Sequence, residues 1–127
     1  MKDFVKYDLA LKLKENGFNE PCIWFYNSDK VLTWFNEPWI AENFNLIEQQ
    51  PDGILAPTIH QVLNWLFEKK QLFVSLDCNE CDHFGLFFTI YKKDEETWFN
   101  CGFNNDYYNT PEEAAIGAIE YIVENLI

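Results

Sequence analysis

At 127 residues, with 48% hydrophobic and 18% aromatic side chains, the chain is too apolar for intrinsic disorder and long enough to bury a core as one domain, 1–127. A formal charge of −12, with nine lysines and no arginine, argues against direct nucleic-acid binding, because that affinity comes from Lys and Arg neutralising phosphates. No apolar run nears the ~18 residues that span a bilayer and no basic-then-apolar leader opens the chain, so the expected setting is a cytoplasm that keeps the four cysteines reduced.

The first predicted element is a short helix over Tyr7–Asn16, with Leu9, Ala10 and Leu13 as its apolar stripe. Gly17 is placed to take the left-handed position after the helix, with Phe18 packing back on the last turn. Two apolar runs, Ile23–Tyr26 and Val31–Phe35, flank the polar stretch Asn27–Lys30 and predict a hairpin. Residues 36–56 fit either one or two helical turns, through Pro38-Trp39-Ile40, Phe44 and Ile47, or an irregular segment pinned by aromatics; Trp34, Phe35 and Trp39 lead into it, and Pro51-Asp52-Gly53 marks a turn. A second helix follows the capping-box pattern Thr58-Ile59-His60-Gln61. Its expected core stripe is Ile59, Val62, Leu63, Leu66 and Phe67, which leaves Trp65 on the outside.

Three strands are predicted at Leu72–Leu76, Phe84–Tyr91 and Thr97–Phe103, with Asp94-Glu95-Glu96 as the second hairpin turn. The last helix opens on a second capping box, Thr110-Pro111-Glu112-Glu113, and buries Ala115, Ala118, Ile119, Ile122, Val123 and Leu126. The order α-β-β-(irregular)-α-β-β-β-α predicts a two-layer α+β fold, a mostly antiparallel sheet of about five strands with helices on one face. Residues 58–127 share the element order of double-stranded RNA-binding domains, but their charge is wrong for RNA, and element order carries no function.

The stretch DCNECDHFG holds the weak metal candidates Cys78, Cys81 and His83. A structural zinc site takes four protein ligands. The expected register puts Cys101 near Thr89, roughly 16–17 Å along the strand from this loop. Asp77, Asp82 or Asp106 would have to complete a mixed site. The acids around the CxxC also favour neutral thiols, the reverse of what a redox dithiol needs. The loop therefore reads as hairpin-turn chemistry, and no cofactor is expected.

His60 reads as a surface residue. Only Ser28 and Ser75 are serines, and neither lies in a nucleophile elbow. The carboxylate pairs lie at a helix start and a turn, so no catalytic residue is expected. The aromatic residues are better candidates. Phe87, Tyr91 and Trp98 fall on the sheet face without an obvious cover, and Trp65 is off its helix stripe. With the acidic turn Asp94, Glu95 and Glu96 they form the expected protein interface.

LKLKENGFNEPC (11–22), LAPTIHQVLNWLFEK (55–69) and YNTPEEAAIGAIEYIVENL (108–126) together resemble small hypothetical proteins of Bacteroidetes phages and prophages. These stretches coincide with capping boxes and core stripes, so the resemblance speaks to fold. It implies a mobile-element protein in a bacterial cytoplasm, and it transfers no activity and no functional residue. Residues 77–127 carry eleven acids and two lysines, net −9, against net −3 for residues 1–76. That imbalance favours a basic protein partner, including one whose nucleic-acid-binding surface is occupied. The expected function is a non-catalytic, acidic protein-binding accessory factor. The alternatives are an enzyme or small-molecule binder built on residues 36–56 and the aromatic sheet face, and a homo-oligomeric structural protein.

Overall fold

The computed structural model describes residues 4–40, 53–79, 85–103 and 107–127. The chain gathers into two compact units, Lys2–Thr58 and Ile59–Ile127. The described residues form three helices and two three-stranded antiparallel sheets, an α+β fold. The strands divide into two sheets of three instead of lining up in one of about five, because the strands of each unit pair among themselves.

In Lys2–Thr58, helix α1 runs Tyr7–Glu15 and ends as its sequence requires. Gly17 takes φ 93°, the Phe18 amide donates to Leu13 O (2.9 Å) and the Gly17 amide to Lys14 O (3.1 Å). This is the Schellman pair of bonds, which satisfies carbonyls left over at a helix end. Phe18, Leu9, Ala10 and Leu13 are buried.

Strands β1 (Cys22–Tyr26) and β2 (Leu32–Trp39) form the first hairpin, with Tyr26 opposite Leu32. Asn27 builds its turn: Oδ1 accepts from the amides of Asp29 (2.9 Å) and Val31 (3.0 Å), and Lys30 takes a left-handed φ of 62°. Strand β2 extends into the stretch expected to be irregular, and β3 (Ile54–Leu55) joins the free side of β1, with Phe25 opposite Leu55. Residues 41–52 lie outside the described residues. The Tyr26 hydroxyl donates to Val5 O (2.6 Å), and the Val5 amide donates to Pro57 O (3.1 Å). These bonds tie the segment before α1 to the sheet.

In Ile59–Ile127, helix α2 (Ile59–Lys70) turns into β4 (Leu72–Asn79) through Gln71, whose φ is 55°. Strands β4, β5 (Gly85–Asp94) and β6 (Thr97–Phe103) follow as a meander. Register places Leu72, Val74 and Leu76 with Phe88, Ile90 and Gly102 on one face, and Phe73 with Tyr91 on the other. Beyond β6 the chain rejoins β5 at Tyr108, which exchanges two backbone bonds of 2.8 Å with Leu86.

Thr110 then caps α3 (Pro111–Asn125): its Oγ1 accepts from the Glu113 amide (3.1 Å), while the Glu113 carboxylate accepts from the Asn109 amide (3.2 Å). The expected capping box forms, with its return bond shifted by one residue. Ala114, Ala115, Ala118, Ile119, Ile122 and Val123 are buried, whereas Leu126 lies past the helix as its cap residue. Gly102 leaves room for the Tyr121 ring, and Phe88, fully buried, packs its ring against Tyr108 and Tyr121.

Helix α2 corrects one expectation. Trp65, read as an outward residue and an interface candidate, is only 4% exposed, whereas Phe67, read as core, is 50% exposed. At about 100° per residue, the apolar positions 59, 62, 63, 65, 66 and 67 cover roughly 200° of the helix. Burial takes the side holding Ile59, Val62, Trp65 and Leu66, and leaves Phe67 at the outer edge.

Candidate functional site

Four aromatic side chains from four elements meet in the second unit: Phe67 of α2, Phe73 of β4, Tyr91 of β5 and Trp98 of β6. Phe73 and Tyr91 are directly opposite in the register, and Trp98 is opposite Lys93, two residues along β5 from Tyr91. Strand alternation therefore puts all three on one sheet face. The short Gln71 link returns the chain so that Phe67, near the end of α2, reaches the same rings.

The Phe67 ring stacks on Trp98 at 5.7 Å with 16° between the planes. Phe73 meets both rings edge-on at 6.3 Å, at 77° to Phe67 and 71° to Trp98. Each such pair contributes on the order of 0.5–1.5 kcal/mol beyond burial, so the rings hold one another in place. They stay open to water all the same: Phe73 is 47% and Trp98 38% exposed. With Tyr91 they line a hollow of about 400 Å³. The Tyr91 hydroxyl is the only polar group these four side chains carry besides the Trp98 indole N–H.

Of the expected interface residues, the structure brings Tyr91 and Trp98 together. Asp94, Glu95 and Glu96 are exposed in the β5–β6 turn that follows Tyr91, with Glu95 at a left-handed φ of 53°. Phe87 lies four residues along β5 from Tyr91, roughly 13 Å away. It packs edge-on against Tyr107 at 6.5 Å instead. Trp65 is withdrawn from the surface, with the Lys70 ammonium 5.4 Å from its ring centroid.

Phe67 and Phe73 are the members that sequence reasoning missed. Phe73 is detectable from the β4–β5 register, which sets it across from Tyr91. Phe67 is not, since the edge on which a wide apolar arc is buried depends on what packs there.

Of the metal candidates, Cys78 is an exposed residue next to the end of β4, and Cys81 and His83 lie outside the described residues, as do Asp82 and Asp106. Cys101 is corrected by two positions. It falls at the β-bulge opposite Ile90/Tyr91, with Phe103, not Cys101, opposite Thr89. Cys78 pairs with Leu86, four to five residues away along β5, so roughly 13–17 Å of strand separates the two thiols.

Burial pushes the Cys101 thiol pKa up. Burial, with Glu20 adding to it, pushes that of Cys22 up to about 12, and the Cys22 thiol donates to Glu20 O (3.4 Å). Both shifts favour the neutral thiol over the reactive thiolate. His60 is exposed on α2, seven residues before Phe67. No helix among the described residues is long and apolar enough to cross a membrane. Comparison with protein-family models, curated proteins and solved structures finds no match to this chain.

Proposed function

We propose that the chain is a non-catalytic protein-binding factor whose contact surface is the aromatic hollow. One observation carries the reading: Phe67, Phe73 and Trp98 pack on one another while remaining 38–50% exposed. Large rings held rigid at a surface lose little conformational freedom on binding, and such residues dominate protein contacts. A small-molecule site usually encloses most of its ligand and converges several polar groups on it. This hollow is open and lined by rings. A stacking platform for nucleic acid needs a positive groove, against a chain charge of −12.

The acidic excess gives the same factor a second means of recognition. Helix α3 carries four glutamates and no lysine, and residues 77–84 hold three acids and no lysine. This charge attracts a basic protein, the partner favoured by the sequence, in the phage or prophage setting that the resemblance suggests.

The test immobilises the chain and offers it, separately, a bacterial lysate and its own purified chain. Retention of a protein by wild type and its loss with Phe73→Ala or Trp98→Ala is the expected result. Equal retention by wild type and both variants, or no retention from either source, refutes the reading.

A further inference from the structure

We infer that the outer edge of β4 takes an extended segment of the partner protein as an added strand, whose side chains reach the aromatic hollow at Phe73. This rests on the protein-binding reading above and names the form and chemistry of what binds. In the β4–β5 ladder the Lys93 amide donates to Gln71 O (3.0 Å), so the odd-numbered residues of β4 turn their backbone groups towards β5. Leu72, Val74, Leu76 and Cys78 turn theirs outward. The opposite strand agrees: Leu86, across from Cys78, makes its two backbone bonds to Tyr108. The outward Cys78 amide is taken by the Asp77 carboxylate (2.8 Å). Among the described residues, nothing bonds the amides and carbonyls of Val74 and Leu76, and both residues are only half-buried.

Exposed sheet edges are normally guarded by lysine, proline, bulges or shortness. The other described edge strands carry such guards. Strand β2 has Pro38 and a break in register against β1, β3 is two residues long, and β6 has a β-bulge in its pairing with β5. Strand β4 runs eight residues with no lysine, no proline and an unbroken register.

A strand laid on this edge continues the sheet through main-chain bonds to Val74 and Leu76. Phe73 and Asp77 then occupy non-hydrogen-bonded positions of the new ladder, where facing side chains lie closest, ~4.5–5.5 Å between Cβ atoms. Both are exposed, and alternation puts them on the same sheet face. Phe73 already packs on Phe67 and Trp98, so a side chain facing it joins the rings. The matching segment carries an apolar side chain opposite Phe73 and a Lys or Arg opposite Asp77, four residues apart on one face. That basic residue also suits a chain of charge −12.

Amide hydrogen exchange followed by NMR on the full chain reads the edge directly. The Val74 and Leu76 amides should exchange at least about a hundredfold faster than those of Phe73 and Ser75, which face β5. A display library of random peptides of about ten residues, selected on wild type, supplies the probe. Enriched peptides should place an apolar residue and a Lys or Arg four apart, and the best of them, synthesised, should slow exchange at Val74 and Leu76 about tenfold or more. N-methylating one alternate set of its amides should weaken binding about tenfold or more, and the other set less than about threefold. Asp77→Lys should weaken it about threefold or more without changing the circular dichroism spectrum. Val74 and Leu76 amides already protected in the monomeric chain overturn the inference, as does a library that yields no such peptide. Protection that appears only as the chain self-associates in sedimentation gives the edge to a second copy and also overturns it. A peptide that tolerates methylation of either set yet is lost with Trp98→Ala overturns the inference alone and leaves the proposed function standing.

Discussion

Replacing Trp65 and Phe67 by alanine, one at a time, tests how α2 is seated, because the two neighbours differ more than sequence suggests. Trp65 is 4% exposed, so Trp65→Ala loses nearly the whole buried area of a large ring and leaves a cavity. Substitutions of this kind cost about 3–5 kcal/mol. Phe67 is 50% exposed and its place opens to water, so about half the transfer term is lost and no closed cavity remains. With its ring contacts to Phe73 and Trp98 included, Phe67→Ala should cost about 1–2 kcal/mol. Urea unfolding followed by far-ultraviolet circular dichroism reads the difference. With a slope of ~1.5 kcal/mol/M, Trp65→Ala lowers the midpoint by roughly 2–3 M and Phe67→Ala by roughly 0.7–1.3 M. Equal losses, or a larger loss at Phe67, would refute the seating and put the buried side of α2 along Leu63 and Phe67.

Three further changes follow from the geometry. Gln71 holds φ 55° between α2 and β4, so Gln71→Gly should raise stability by roughly 0.5–1 kcal/mol and Gln71→Val should lower it, read as urea midpoints moving in opposite directions. A Cβ at Gly117 would lie 2.6 Å from Tyr108 Cζ, so Gly117→Ala should cost about 1–2 kcal/mol in wild type. In a Tyr108→Ala background the same change should stabilise by up to ~1 kcal/mol, the ordinary helix preference for alanine; a cost in both backgrounds would contradict the contact. The Cys22 thiol has its folded pKa raised to about 12 from 9.0, so the folded state holds the proton longer than the unfolded state. Its contribution is therefore fully present below pH 9.0 and declines as pH rises from there towards about 12, by ~1.4 kcal/mol per pH unit. Wild type should lose about 1 kcal/mol more stability than Cys22→Ala on moving from pH 9.0 to one unit above it, since the unfolded thiol is already half ionised at the start; parallel losses would show that burial does not hold the proton.

The candidate site was half legible. Tyr91 and Trp98 are readable from strand alternation, because a period of two survives any error in strand length. Phe73 needed the β4–β5 register, and Phe67 needed the side of α2 that packs. Of the cysteine stretch, the described residues include Cys78, and strand length separates it from Cys101.

What the sequence by itself determined is whatever a few neighbouring residues decide among themselves. Leu13 to Phe18 end α1, Asn27 bonds its own turn, Thr110 and Glu113 start α3, and the alternating strands of 85–103 choose their faces. These interactions span five residues or fewer, or follow a fixed period, so the local order of side chains is enough. Tertiary structure decided what depends on distant partners: the pairing of Leu55 with Phe25, the burial of Trp65 in place of Phe67, and the meeting of rings from α2, β4, β5 and β6. An apolar arc wider than one contact can bury, or a two-residue strand, offers several near-equal local solutions. Only the surface it packs against selects among them.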